Sequence, residues 1–152
     1  MLGLQNESTY PHEISSDGVR VHETHISYLF LTGTYAYKIK KAIRFGGILN
    51  FSTLELRRRY CQAEIKINQL LCKEMYVGIV KIVKDRQTLK LLNPSQNFSA
   101  AEYAVKMVEI PQKLRMDVAI KLKEVNEEVL GNLAQVISRF HSVTPTSRKI
   151  IA

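Results

Sequence analysis

From Val19 the chain begins to alternate. Val19-Arg20-Val21-His22 sets apolar positions two apart, the spacing of a half-buried strand. Tyr28-Leu29-Phe30-Leu31-Thr32 is a second β-rich run, and Tyr35-Ala36-Tyr37-Lys38-Ile39-Lys40 a third. Gly33-Thr34 between them predicts a hairpin. The preceding residues 1–17 are polar and irregular, with a turn expected at Tyr10-Pro11-His12. Residues 41–51, with Gly46 and Gly47, predict a loop. Ser52-Thr53-Leu54-Glu55 then has the form of a capping box, with Ser52 as N-cap and Glu55 reaching back. The helix it opens is predicted to run to about Lys73. Two more strands are predicted at Val77–Val83 and Thr88–Leu92, split by the turn Lys84-Asp85-Arg86-Gln87. Asn93–Ser99 reads as a loop and Tyr103–Ile110 as a strand that Pro111 stops. Residues 113–123 predict a helix with untidy apolar spacing. Asn126 caps a last helix, Glu127–Ser142, whose acidic first turn and basic last turn suit the helix dipole. Strands first and helices after make an α+β chain with a mostly antiparallel sheet.

Composition adds limits. At 152 residues, 45% apolar and 24% charged, the chain has the length and make-up of one globular domain. Those values exclude a wholly disordered chain, a collagen-like chain and a membrane-embedded bundle. The net charge of +8 and a pI near 9.6 favour an anionic partner: nucleic acid, a phosphorylated small molecule or an acidic surface. Cys61 and Cys72 fall eleven residues apart on one predicted helix, about 16 Å of rise, too far for a disulfide. Reduced thiols and a cytoplasmic location follow as the expectation. No basic residue precedes Arg20, so no signal peptide is expected, and the early apolar run Tyr28–Leu31 is too short to cross a bilayer. His12, His22, His25 and His141 show no metal-ligand spacing with a cysteine, so no metal site is expected.

The long helix carries a carboxylate on an unexpected face. With Leu54 at 0° and about 100° per residue, Leu54, Cys61, Ile65 and Cys72 fall within about 20° of zero. Tyr60, Ile67 and Leu71 fall between about −100° and −140° on the same wheel. Glu64 lies near −80°, close to the middle of that apolar arc. A carboxylate there must be paired or must shift its pKa. No base stands at positions 60, 61, 67 or 68, so the partner must come from elsewhere in the fold. Arg57-Arg58-Arg59 on the same helix reads as a solvated face.

The third strand supplies a partner. Ala36, Lys38 and Lys40 share one face, Tyr35, Tyr37 and Ile39 the other. A hydrated glutamate at the rim and a solvated strand lysine are the plain alternatives. Together, however, the two residues match a known arrangement. In kinase folds a lysine on the third strand holds the nucleotide phosphates, and a glutamate on the next helix holds that lysine. Lys38 is the expected partner of Glu64, with Lys40 as the alternative two residues on. Tyr35-Ala36-Tyr37-Lys38 also matches the small-residue-then-lysine pattern of the kinase strand.

On these residues the chain resembles the aminoglycoside-phosphotransferase-like proteins of bacteria and archaea. The resemblance is carried by Glu23-Thr24-His25-Ile26-Ser27-Tyr28, Phe30-Leu31-Thr32-Gly33, Tyr37-Lys38-Ile39-Lys40-Lys41 and Asn50-Phe51-Ser52-Thr53-Leu54-Glu55. Tyr10-Pro11-His12, Tyr76-Val77-Gly78-Ile79-Val80, Glu102-Tyr103-Ala104-Val105-Lys106-Met107 and Arg139-Phe140-His141 extend it over nearly the whole chain. It implies a protein-kinase-like N-terminal lobe over 1–110, with a five-stranded, mostly antiparallel sheet plus one long helix. Residues 111–152 would be the hinge and the first helices of a C-lobe. Relatives often carry a P-loop kinase-like domain as well, but no P-loop motif occurs here. The resemblance implies ATP as the nucleotide, with Lys38 on phosphate and Glu64 on Lys38. Ala36 would line the adenine pocket, and the backbone of Val108, Glu109 and Ile110 would meet the adenine edge. Thr24 and Ser27, in the turn over the phosphates, would replace the glycine-rich loop of protein kinases, which is absent between the first two strands.

Phosphoryl transfer also needs a catalytic Asp with an Asn five residues later, and a metal-binding Asp. The three aspartates, Asp17, Asp85 and Asp117, are followed at that distance by His22, Lys90 and Leu122. The chain therefore reads as the nucleotide-binding lobe of a small-molecule phosphotransferase, truncated before the catalytic loop and inactive by itself, with Mg2+ bound only where the missing C-lobe is present. The apolar stripe Val129, Leu130, Leu133, Val136, Ile137 and Phe140 is expected to face that C-lobe, to self-associate through residues 126–142, or to pack on the first lobe. The alternative is a basic binding module on a degenerate kinase-like fold, taking nucleic acid or a protein. Nucleic acid is disfavoured because the bases scatter without interleaved aromatics.

Overall fold

In the computed structural model residues 2–144 are described. The chain divides into two compact units, Met1–Glu109 and Ile110–Ala152. The last residues of the expected C-lobe segment, 145–152, lie outside the described residues.

Alternation becomes strand where the sequence placed it. β1 (Arg20–Glu23), β2 (Ser27–Leu31) and β3 (Tyr35–Lys40) form consecutive antiparallel hairpins. A short hairpin, β4 (Arg44–Phe45) with β5 (Leu49–Asn50), occupies what reads in sequence as a loop. After α1 (Leu54–Asn68) come β6 (Tyr76–Asp85), β7 (Thr88–Leu92) and β8 (Glu102–Val108). The sheet has six strands in the order β1-β2-β3-β8-β6-β7, and every pairing is antiparallel. This corrects the expected five. The ten-residue β6 is long enough to pair with β8 over Tyr76–Ile82 and with β7 over Lys81–Asp85, so the hairpin adds a sixth strand at the edge.

Register fixes two faces. Ser27, Leu29 and Leu31 stand opposite Lys40, Lys38 and Ala36, and Val105 and Met107 opposite Lys38 and Ala36. On this face α1 packs through Leu54, Cys61 and Ile65 against Tyr103, Val105, Ile79 and Met107. The other face is covered by the N-terminal segment. Leu4, Tyr10, Ile14 and Val19 close over Phe30, Tyr37, Ile39, Ile82 and Leu91. Each large apolar side chain buried there stabilises the unit by roughly 1.5–3 kcal/mol. Gly33 ends the β2 side of its turn at φ +91°, and a Cβ there would lie 2.5 Å from Ser15 Cβ, so both conformation and space require glycine.

α1 departs from its predicted ends. Thr53, not Ser52, is the N-cap, and its Oγ1 accepts the Leu56 N–H at 3.2 Å. Ser52 instead donates its hydroxyl to Asn50 Oδ1 at 2.7 Å, and Glu55 is exposed beside Arg58, so no capping box forms. The helix stops at Asn68, whose side-chain amide donates back to the Glu64 carbonyl, while Gln69 reaches the Tyr76 carbonyl at 2.7 Å. Cys72 therefore lies beyond the helix as an exposed thiol, and Ile67 and Leu71 are exposed.

In the second unit α2 (Met116–Lys121) and α3 (Glu127–Val143) follow a turn of 3-10 helix. Asn126 Oδ1 accepts the Val129 N–H at 2.9 Å, the predicted cap. Val129, Leu130, Leu133, Val136 and Ile137 all remain exposed. Among the described residues no helix is long and apolar enough to cross a membrane.

Candidate functional site

Glu64 projects from α1 toward β3 and meets two lysines. Lys38 Nζ donates to Oε1 at 2.8 Å, and Lys40 Nζ donates to Oε2 at 2.6 Å. The inward carboxylate thus has its partner from the third strand, and both lysines take part. The alternation of β3 explains why: residues two apart point the same way and flank one carboxylate. Burial pushes the Glu64 carboxyl up, but hydrogen bonds from Lys38 and Lys40 and their charges outweigh it and hold the group below the ordinary glutamate value. Glu64 is ionised at neutral pH, so two ammonium groups on one carboxylate leave an excess of one positive charge.

The lysines are not equivalent. The Lys40 side chain is 8% exposed and its ammonium sits 5.1 Å from the Phe51 ring centroid; that of Lys38 is 33% exposed. Lys40 is locked in the interface, whereas Lys38 reaches its edge. Cys61 lies beneath them, wholly buried, its thiol pushed up to about 11 by burial. It is a packing residue, not a nucleophile.

The other residues expected at the site occupy defined places. Ala36 is buried on the face of Lys38. Thr24 and Ser27 close a turn on each other: the Ser27 N–H donates to Thr24 Oγ1 at 3.0 Å, the Thr24 N–H to the Ser27 carbonyl at 2.9 Å, and the hydroxyls lie 2.9 Å apart. Ser27 is buried opposite Lys40, and among the described residues neither hydroxyl bonds Lys38 or Glu64. The Val108 N–H donates to the Met75 carbonyl at 2.9 Å and the Glu109 N–H to the Thr34 carbonyl at 3.0 Å. The Glu109 carboxylate accepts the Gly33 N–H at 2.7 Å and pairs with Arg20, tying β1 and the β2–β3 turn to the end of β8. Ile110 opens the second unit and is exposed.

A second ion pair was missed in the sequence. Arg57 is buried rather than solvated, its Nε within 3.0 Å of both Glu102 oxygens, and its Nη1 donates to the Phe51 carbonyl at 2.8 Å. The signal was present: on the wheel that singled out Glu64, Arg57 falls near −60°, inside the same arc. Among the described residues no three His, Cys, Asp or Glu side chains gather into a metal site.

Uncharacterized proteins of Mycobacterium tuberculosis and Mycobacterium bovis are 30% identical to this chain over 132 residues, 87% of its length. The chain spans about a quarter of the length of these curated relatives, 24% of each. No protein-family model matches the chain. No solved structure matches it.

Proposed function

We propose that the first unit is a kinase-like nucleotide-binding lobe, in which Lys38 holds the phosphates of ATP. The observation that carries this reading is the Lys38–Glu64–Lys40 cluster. A lysine on the third strand, oriented by a glutamate on the following helix, is the phosphate-holding arrangement of kinases. The excess positive charge suits a phosphate, and the exposed edge position lets Lys38 swing to a ligand while Lys40 keeps Glu64 paired. Ala36 leaves room beside it for a flat base. Val108 and Glu109 have spent their N–H groups on protein carbonyls, so from these two residues only carbonyl oxygens would meet the adenine amino group. The free thiols fit a reducing, cytoplasmic setting. The reading covers binding only. With no Asp followed five residues later by Asn, this chain is expected to turn over no ATP on aminoglycosides or other hydroxyl acceptors.

Isothermal titration of the chain with ATP tests the proposal. Saturable binding that weakens at least tenfold in Lys38→Met supports it. Absence of binding, or binding indifferent to Lys38→Met, overturns it. Turnover by the pure chain would overturn the restriction to binding.

A further inference from the structure

The face of the sheet opposite Lys38 holds a lysine that no carboxylate answers. Lys106 sits in β8 with Tyr37 of β3 and Gly78 of β6 as its register partners. Among the described residues it belongs to none of the ion pairs. Its ammonium lies 3.7 Å from the Tyr35 ring centroid. Burial without a counter-ion weakens its hold on its proton. Tyr35 packs edge-on against His12, with centroids 5.0 Å apart, and His12 is fixed by Thr32 Oγ1 at 3.0 Å. The cation is thus held in an aromatic frame on one side.

On its other side the sheet is open. β6 has a register shift between Tyr76 and Gly78, and Gly78 adopts φ +155° with nothing within 4 Å of where a Cβ would stand. Glycine inside a strand weakens it, and bulges recur where a strand is bent to make room beside a site. The room made here is a pocket of about 270 Å³. Pro11, Val80 and Leu91 form its apolar wall, and Lys106 and Asn93 bring polar groups. The Asn93 side-chain oxygen Oδ1 already accepts the Ser95 N–H at 3.0 Å and the Ser95 hydroxyl at 2.8 Å, which leaves the side-chain NH2 as the donor.

We propose that this pocket binds a small organic monocarboxylate, its carboxylate on the Lys106 ammonium and the Asn93 amide and its short apolar body against Pro11, Val80 and Leu91. The volume, about 270 Å³, lies just below the roughly 300–1,000 Å³ of pockets for drug-sized ligands and suits a smaller molecule. A single lysine matches a single negative charge, whereas a phosphate dianion would call for a second cation. The site is independent of Lys38 and stands or falls without the nucleotide reading.

Amide-resolved NMR titration of the whole chain with benzoate tests it, with inorganic phosphate and benzamide as comparison ligands. The expected result is a saturable benzoate shift at Gly78, Asn93 and Lys106, with little response to the other two. Lys106→Met weakens it at least tenfold. Asn93→Asp, an exposed change that keeps the acceptor for Ser95 and adds a repelling charge, weakens it likewise while the fold is retained. No saturable shift at these residues with millimolar benzoate, equal binding of benzamide or phosphate, or unchanged affinity in Asn93→Asp overturns the proposal.

Discussion

α1 carries two charges into its interface with the sheet, Arg57 and Glu64, and the protein treats them differently. Arg57 meets one carboxylate, Glu102, and its remaining donors reach the carbonyls of Phe51 and Ser52. Charge and hydrogen bonds both close there. Glu64 meets two lysines and is left with more cation than it needs. A closed pair anchors the helix to β8 and the loop before α1. The open cluster, with one ammonium at its exposed edge, is the one that the proposed phosphate site draws on. On the proposed reading the difference separates a structural ion pair from a site, although Arg57 and Glu64 stand only about two turns apart on the same helix.

Breaking the closed pair has the largest expected effect on stability. Arg57→Met removes the cation, leaves Glu102 unanswered and strips the buried Phe51 carbonyl of its donor. Truncating one side of a buried pair costs about 3 kcal/mol or more. Urea denaturation at neutral pH should show this as a fall in midpoint with little change in slope. Affinity for ATP should survive wherever the fold does. Loss of ATP affinity without loss of stability would mean that Arg57 belongs to the site after all.

How each pair reads in the sequence follows from its neighbours. Glu64 stood out because the residues around it on the wheel are apolar and no base lies a helical turn away. Arg57 lies in the same arc, but Arg58 and Arg59 beside it made the run look like a solvated face. Charge runs hide a buried member, and only its angle reveals it. The sheet was legible because alternation is a local signal: β2, β3 and β7 sit where the pattern placed them. The two-residue β4 and β5 are too short to alternate. What local pattern does not encode is how the strands join: β6 meets β8 along one edge and β7 along the other, so both strands of the predicted hairpin enter one six-stranded sheet rather than a sheet of five. The far end of α1 differs from its expected end because Ile67 and Leu71 keep the helical spacing although both are exposed. In the second unit α3 kept its predicted cap and extent, since Asn126 and the acidic first turn act within the helix itself.

Neutralising the shared carboxylate comes next. Glu64→Gln leaves two ammonium groups facing an amide, and the expected cost is about 2–3 kcal/mol at neutral pH. The pH dependence has a definite sign. The Glu64 carboxyl is held below its ordinary value of 4.5 in the folded chain. Its contribution is therefore present above the unfolded value and is lost as pH falls through the lower folded one. The variant should lose that share of the acid-side slope, below about pH 4.5, and match the parent slope at higher pH. Equal acid slopes in both proteins would show that Glu64 is not tied to the lysines in solution.

Lys40→Met is expected to cost about 2 kcal/mol, the scale of a buried charge-assisted hydrogen bond. Methionine fills most of the space beside Phe51, and Lys38 still serves Glu64. The variant sharpens the division between the two lysines. With Lys40 gone, Lys38 must stay on the carboxylate, so ATP should bind more weakly although Lys38 itself is intact. Unchanged ATP affinity would mean that Lys38 needs no second lysine to be released.

The smallest stability effect belongs to the residue with the largest proposed role. Lys38 is one-third exposed, and Glu64 keeps Lys40 when it is removed. An exposed or edge ion pair contributes about 0.2–1 kcal/mol, so Lys38→Met should shift the urea midpoint little. The two lysines share one acceptor, so their effects should not add. The double variant Lys38→Met/Lys40→Met strands Glu64 in the interface and should cost more than the two single changes summed. A double-mutant cycle by urea denaturation measures this, and a coupling near zero would show that the carboxylate does not pass from one lysine to the other. A Lys38→Met variant as unstable as Lys40→Met would make both lysines structural. The cluster would then be a second closed pair, and the contrast with Arg57 would vanish.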